Sequence, residues 1–180
     1  MTKRQEAAQE TRKAIIRAAA KLIEAKGLDA ISIDDIAAEA GVSKGSFYTY
    51  FAHKEDVLDE IGYTEFDKII ETARSIKDPY VKISSFLIDS IEYIESRGNN
   101  MCRDWTRCSA TPGDVRGKKK MEYDRKTIAE LLSLDERDPE VTWILNGYYG
   151  IVFRWAMTGG EIDPVAEMRS FCEGPVKRML

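Results

Sequence analysis

The stretch from Ser32 to Phe51 constrains this chain more than any other part of it. Ser32-Ile-Asp-Asp35 places an N-cap residue three positions ahead of an acid, the spacing of a capping box, and predicts a short helix running through Ala40. Gly41 then permits a sharp turn, because glycine enters the left-handed backbone region without a Cβ clash. Ser43 can cap a further helix from Lys44 to Tyr50. Two short helices joined by a glycine-containing turn, with small apolar positions where they cross, describe a helix-turn-helix. Ile36, Ala37, Ala40, Val42 and Phe47 are the expected packing side, Ala37 and Ala40 being small enough to let the backbones close. Lys44, Ser46, Tyr48, Thr49 and Tyr50 are then left to face outward. A hydroxyl on a rigid ring suits phosphate contact and packing on sugars or thymine methyls. Lys44 sits in the first turn, where backbone amides also favour anions.

The rest of the chain reads as helices joined by short loops, with no strand-like alternation and no internal repeat. Ile15, Ala19, Leu22 and Ile23 form one apolar stripe, predicting a first helix from about Thr11 to Lys26, stopped by Gly27. After His53 a longer helix carries Val57, Leu58, Ile61 and Tyr63 toward a core. Further helices are predicted from Pro79 to about Arg97, from Met101 to Ala110 with a stop at Pro112-Gly113, and from Val115 to Leu134. Another covers about Pro139–Thr158, and a last one starts near Pro164 and is expected to be interrupted at Gly174-Pro175. The expectation is an all-α chain of about nine helices. It comprises an N-terminal three-helix helix-turn-helix domain (1–54) and a C-terminal helical domain (55–180).

At 180 residues, 43% hydrophobic, the chain can bury a core, so disorder is excluded as its general state. The net charge of −4 argues against a nucleic-acid binder until it is divided: Met1–Lys54 holds nine Lys/Arg against seven Asp/Glu, leaving −6 for the remainder. Met1–Lys13 is polar and doubly signed, unlike a translocation signal, and no apolar run approaches the roughly 20 residues that span a bilayer. A cytoplasmic protein without membrane association is expected. Cys102, Cys108 and Cys172 are odd in number and lack CxxC spacing, fitting reduced thiols, and one histidine leaves no metal cluster to assemble. No Ser/His/Asp set or phosphate loop is evident, so no catalytic residue, no cofactor and no enzyme activity is expected. His53, a lone imidazole at a helix start, reads as a cap or backbone neighbour, and Lys118-Lys119-Lys120 as a solvated helix face.

The run Ser32-Ile-Asp-Asp-Ile-Ala-Ala-Glu-Ala-Gly-Val-Ser-Lys-Gly-Ser-Phe-Tyr-Thr-Tyr-Phe51, closed by His53-Lys54-Glu55, strongly resembles the signature of the TetR family of bacterial transcriptional regulators. The close match covers about Thr11–Leu58. The resemblance implies that Ser32 and Ile33 start the second helix beside a DNA backbone. It implies that Lys44, Gly45, Ser46, Tyr48, Thr49 and Tyr50 face the major groove and its flanking phosphates, and that Lys54 clamps a phosphate. Ser43 is a cap first, with any phosphate contact additional. Two positions depart from the pattern: Asp34 stands where some relatives carry a basic residue that reaches a base, and Gly45 can offer only close backbone approach.

Family members are typically homodimers whose C-terminal helices build the interface and whose C-terminal domain encloses a ligand. The resemblance therefore implies a double-stranded DNA operator with inverted half-sites, a homodimer through the two C-terminal helices, and a small-molecule effector that changes DNA affinity. Independently, Val141–Met157 is apolar nearly all round and must be covered on every side, with Gly147 and Gly150 allowing close helix approach. Phe86, Ile94, Met101, Cys102, Trp105, Tyr123 and Tyr148 are the candidate ligand-lining residues, because aromatics and methionine suit an apolar, adaptable pocket. The expected function is a ligand-responsive repressor; the competing reading is a similar DNA-binding protein controlled by a protein partner or by thiol oxidation.

Overall fold

A computed structural model of the chain describes residues 2–111 and 115–180, and no side chain at 62–64 or 116. Tyr63 and the stop expected at Pro112-Gly113 therefore lie outside the described residues. Among the described residues every regular element is helical and there is no strand. The helices are α1 (Lys3–Lys26), α2 (Ile33–Ala40), α3 (Lys44–Tyr50), α4 (Asp56–Arg74), α5 (Pro79–Ser96), α6 (Asn99–Ser109), α7 (Arg116–Leu132), α8 (Pro139–Met157) and α9 (Pro164–Phe171). A single 3₁₀ turn, Leu28–Ala30, follows α1, and a π turn, Cys172–Val176, leads from α9 into a last turn, α10 (Lys177–Met179).

The chain forms two compact units, Met1–Thr64 and Glu65–Leu180. In the first, α1 packs on α2 and both meet α3. Ile15, Ala19 and Ile23 of α1 are buried with Leu28, Ile36, Ala37, Phe47, Phe51, Val57 and Leu58. The division falls after the boundary expected at 54/55, because Val57, Leu58 and Ile61 on the first turns of α4 are buried within this unit. The Arg12 guanidinium lies 5.5 Å from the Phe51 ring centre and 2.7 Å from Glu60, tying α1 to the start of α4. Helix α1 begins at Lys3, earlier than its apolar stripe predicts. Thr2 and Gln5 cap that start reciprocally, with the Gln5 amide donating to Thr2 Oγ1 at 3.3 Å and the Thr2 amide to Gln5 Oε1 at 2.8 Å. The added turns have little apolar surface to bury, which is why hydrophobic periodicity does not reveal them.

In the second unit, Ile83, Leu87, Ile91 and Ile94 put one face of α5 into a core shared with Ile70, Ile128, Ile144 and Met168. Helix α5 packs on α7 and α9, and α8 on α6, α7 and α9. Three helix starts use the same device: Asp78, Asp138 and Asp163 cap α5, α8 and α9, each followed by a proline whose missing N–H costs nothing at the first helical position. The interruption expected at Gly174-Pro175 takes the form of the π turn. The wider turn takes up a residue that cannot donate, and the helix resumes.

Two glycines are needed for helix packing. A Cβ on Gly147 would stand 2.2 Å from the Phe171 ring, and one on Gly117 would stand 2.1 Å from the Ser109 carbonyl oxygen. Gly150, by contrast, has nothing within 4 Å in the single chain. The obstacle at Gly117 is backbone at the end of α6, so α7 must shift to admit a methyl group. Gly117→Ala should lower stability by about 1–3 kcal/mol, the usual range for overpacking, despite alanine's better helix propensity. Urea unfolding followed by far-UV circular dichroism checks this.

Candidate nucleic-acid interface

The turn between α2 and α3 is closed by local hydrogen bonds. Ser32 Oγ accepts from the Asp35 amide at 3.1 Å, while Asp35 Oδ2 accepts from the Ser32 amide at 2.8 Å, completing the expected capping box. The Ser32 hydroxyl, which donates to Asp35 Oδ2 at 2.7 Å, and the Ser32 amide together hold the Asp35 carboxyl below its ordinary pKa. At Gly41 the backbone is left-handed, φ 68° and ψ 30°, and the Val42 amide returns to the Ala37 carbonyl at 2.9 Å. Ser43 Oγ accepts from the Ser46 amide at 3.1 Å and shares a hydrogen bond with Ser46 Oγ at 2.9 Å.

Phe47 is the residue of α3 that is fully buried. Its ring lies 5.5 Å from that of Phe51 and edge-on to Tyr48 at 5.9 Å. Ile36 and Ala37 are buried as expected, whereas Ala40 and Val42 are only half-buried. On the opposite side of α3, Lys44, Gly45, Tyr48 and Thr49 are exposed, Tyr48 at 52% of its surface, and Ser46 and Tyr50 are half-exposed. Ser32 and Ser43 are exposed and Ile33 is half-buried. The tyrosine that packing would be expected to hide is thus open to solvent. The Thr49 hydroxyl donates to the Gly45 carbonyl at 3.1 Å, so its methyl and lone pairs are what it offers outward.

Two basic residues are placed in ways the sequence did not disclose. Lys44 Nζ donates to Asp34 Oδ2 at 2.8 Å, across the helix-turn-helix, and the carboxylate raises the Lys44 pKa. Lys54 turns inward: its ammonium donates to the Leu28 carbonyl at 2.8 Å and the Ile31 carbonyl at 3.0 Å, staple-fashion across the loop between α1 and α2. Two of its three protons are used there, leaving one for an outside acceptor. His53 is exposed, and its amide donates to Asp56 Oδ2 at 2.8 Å at the start of α4, a backbone role as expected.

Among the ligand-lining candidates, Phe86, Ile94, Met101, Cys102 and Tyr148 are buried and Trp105 is half-buried. Tyr123 is 41% exposed, and its hydroxyl lies 3.3 Å from Asp67 Oδ1. A polar cluster stands beside these residues. The buried Asp124 accepts from Lys120 Nζ at 2.6 Å and 2.7 Å and from the Tyr149 hydroxyl at 2.5 Å. Burial, with the Asp124 charge, pushes the Tyr149 pKa far up, so that hydroxyl stays a donor. Lys120 also lies 4.9 Å from the Phe66 ring centre and so departs from the solvated face expected of its lysine run; its spacing from Asp124 is the signal that could have shown this. Lys118, by contrast, is 80% exposed. All three cysteines are free and buried, and burial pushes the Cys102 thiol up to about 11. Among the described residues no group of His, Cys, Asp and Glu could hold a metal ion, and no helix is long and apolar enough to cross a membrane.

The profile of the bacterial regulatory proteins, tetR family, matches residues 15–61. The transcriptional repressor KstR2 of Mycolicibacterium smegmatis is 31% identical over 90 residues, 46% of this chain and 42% of that protein. The regulator YuxN of Bacillus subtilis is 40% identical over 68 residues, 38% of this chain and 23% of that protein. The match thus spans less than half the length of either relative. Among solved structures, the fold is shared with Thermus thermophilus FadR in complex with lauroyl-CoA (TM-score 0.74, 22% identity, covering 94% of this chain and 95% of that one). It is shared also with Pseudomonas aeruginosa NalD, the secondary repressor of the MexAB-OprM multidrug efflux pump (TM-score 0.67, 20% identity, 96% of each chain). Residues 15–61 are thus similar to the DNA-binding segment of the tetR family of bacterial regulatory proteins, and the solved structures share the fold of the whole chain.

The inward turn of Lys54 makes a stability claim. Replacing it with methionine keeps the stem and leaves two carbonyls without their charged donor. Lys54→Met should destabilise the first unit by about 1–3 kcal/mol, the range for losing hydrogen bonds to a charged group. Chemical denaturation of the free protein measures it without DNA, and an unchanged midpoint would leave Lys54 only an outside role.

Proposed function

We propose that this chain is a cytoplasmic transcriptional repressor that binds an inverted-repeat operator as a homodimer and changes its DNA affinity when a small molecule occupies the unit Glu65–Leu180. The observation that carries the DNA-binding part is the division of α3 into one buried anchor, Phe47, and an exposed face of Lys44, Gly45, Tyr48 and Thr49. A solvent-facing tyrosine and lysine beside a glycine form a surface that can approach a phosphate backbone closely and still reach base edges. Ser32, Ile33, Ser43, Ser46 and Tyr50 flank that face and, with the third proton of Lys54, are the proposed backbone contacts. The naming of KstR2 and NalD as repressors supports the direction of control.

The dimer is supported by α8. Val141, Ile144, Leu145, Tyr148, Ile151 and Trp155 are covered within the chain, but Trp143, Phe153 and Met157 are 43%, 51% and 68% exposed. Trp143 stacks on Phe171 of α9 at 5.2 Å, so one apolar surface continues across both helices. A second copy of the chain covers it in our reading, and two-fold symmetry then presents two α3 helices to inverted half-sites. Phe153→Glu should convert the dimer to a monomer in sedimentation velocity while leaving helix content unchanged. A variant that sediments as the parent does would move the interface elsewhere.

For the effector, the apolar set Phe86, Ile94, Met101, Cys102, Trp105 and Tyr148 is the proposed lining. FadR, solved with lauroyl-CoA, is a protein of this fold with a bound effector-sized molecule and supports a small-molecule role for the second unit. An effector acts only through its different affinity for the two DNA-binding arrangements, and α4, whose residues belong to both units, is the proposed path. The buried, high-pKa Cys102 thiol offers little thiolate for oxidation, which favours a ligand over redox control.

Selection of genomic fragments by the purified protein tests the central claim, and the enriched site together with its neighbouring genes indicates the effector. Gly45 sharpens the test. A Cβ there meets nothing closer than Ser43 Oγ at 3.7 Å, so the fold tolerates alanine. Gly45→Ala should leave the unfolding midpoint unchanged or slightly higher, and should weaken retention of the selected fragment about tenfold or more. Equal retention by the parent and the variant would remove α3 from the contact surface.

A further inference from the structure

An acid on a surface that meets a polyanion weakens phosphate contact. Asp34 stands on that surface, in the first turn of α2, with its carboxylate on Lys44 at the start of α3. The capping work of this turn is done by Asp35, which takes both the amide and the hydroxyl of Ser32. Asp34 is therefore not needed to start the helix. The pair with Lys44 does little for stability either, because its side chains are 65% and 52% exposed and solvent screens them. Gly45, next along α3, adds no side chain that could stand between the pair and a groove.

We infer that Lys44 and Asp34 act together as one reader of a C·G base pair, Lys44 donating to the guanine edge and Asp34 accepting from the cytosine amine. This inference rests on the DNA-binding reading above and deepens it. The pair presents a donor and an acceptor 2.8 Å apart. Guanine O6 and cytosine N4 are themselves hydrogen-bonded across the base pair, so they offer an acceptor and a donor at a matching spacing of about 2.9 Å in the major groove. The second amine proton of cytosine points into the groove and is free for Asp34. Beside O6 lies guanine N7, a second acceptor for the Lys44 ammonium. An A·T pair also has a donor next to an acceptor, but its adenine amine lies between N7 and thymine O4, two acceptors that repel a carboxylate. The ammonium would there be set beside the thymine methyl. The geometry thus selects C·G over A·T. It also explains why an acid can occupy a position where a basic residue alone would read guanine: the base pair is read from both of its bases.

The test uses the full chain, its Asp34→Ala variant and a pool of duplexes with a randomised centre. The parent is expected to enrich an inverted repeat with a C·G pair at one symmetric position in each half-site. Asp34→Ala, checked for parental helix content and unfolding midpoint, is expected to enrich the same repeat with that preference lost. On the parental site with C·G changed to A·T, the parent should bind about tenfold or more weakly, and the variant should show little difference. If Asp34→Ala keeps the same preference at every position, the base assignment is overturned while DNA binding stands. That holds also if the variant merely binds all duplexes more tightly, which would make Asp34 a screen of Lys44. If the parent enriches no sequence, the DNA-binding reading falls and the base assignment with it.

Discussion

A helix of seven residues has no stability of its own in water, where about 12–15 residues are needed for even marginal helicity. Helix α3 therefore exists only as far as the rest of the first unit holds it, through the burial of Phe47 and the Ser43 cap. Removing a phenylalanine side chain from water contributes about 1.5–3 kcal/mol, comparable with what a Ser43 cap can add. The two act at different points: the cap fixes where the helix begins, and the buried ring fixes which face looks outward. Phe51, one turn later, closes the anchor, and Arg12 lies over its ring while reaching Glu60. The exposed face of α3 is thus defined by what lies behind it.

Positive charge in this chain is committed more locally than its totals suggest. The small excess of bases in Met1–Lys54 looks like an electrostatic footprint, yet four of its lysines are engaged within the unit, Lys13 with Glu10 and Lys21 with Glu39 among them. Lys44 is bound to Asp34, and Lys54 is bound to the Leu28 and Ile31 carbonyls. In the second unit, Lys120 of the Lys118–Lys120 run is spent on the buried Asp124. A sequence reports charge but not the direction in which a long flexible side chain turns, because four-carbon stems can cover apolar surface while their ends find partners several ångströms away. Net charge per segment is therefore a coarse guide here, and the pairings decide what remains for an outside partner.

The features legible in the sequence were those set by neighbouring residues. The Ser32 and Asp35 capping box, the left-handed Gly41 turn, the Ser43 cap and the helix starts at Pro79, Pro139 and Pro164 all act within a few positions, and each lies where local spacing put it, whereas the aspartates that cap those three starts were not read. Phe47 as anchor followed from the packing pattern, while the exposure of Tyr48 followed from the family resemblance rather than from periodicity alone. What could not be read involves partners far along the chain: Lys54 with Leu28 and Ile31, Lys44 with Asp34, Tyr149 with Asp124. The early start of α1 escaped for another reason, since its first turns rest on a Thr2–Gln5 cap rather than on an apolar stripe. The π turn escaped because Gly174-Pro175 is a helix stop in most contexts, whereas here the flanking Cys172 and Val176 are buried in the core.

Under the proposed ligand-responsive reading, the second unit sets what an effector would have to work against. Its apolar core is built around α5 and α8, and a buried carboxylate in the α7–α8 contact, Asp124, has both oxygens engaged. A carboxylate with such partners is expensive to disturb, since separating it from Lys120 leaves a buried charge without its counter-ion. The same arrangement is discriminating. Tyr149 follows Tyr148 on α8, with ring centres 5.5 Å apart, so a molecule that wedges against Tyr148 also presses on the hydroxyl that holds Asp124. From Asp124 the contacts lead by Lys120 to Phe66 on α4, and α4 is further clamped to α7 by Arg74, which holds Glu130 through Nε at 2.8 Å and a second nitrogen at 2.9 Å. Packed cores of this kind shift between discrete arrangements rather than deforming smoothly. In the proposed reading, a ligand beside Tyr148 would therefore reach α4 through charge and packing together, without contacting α4 itself.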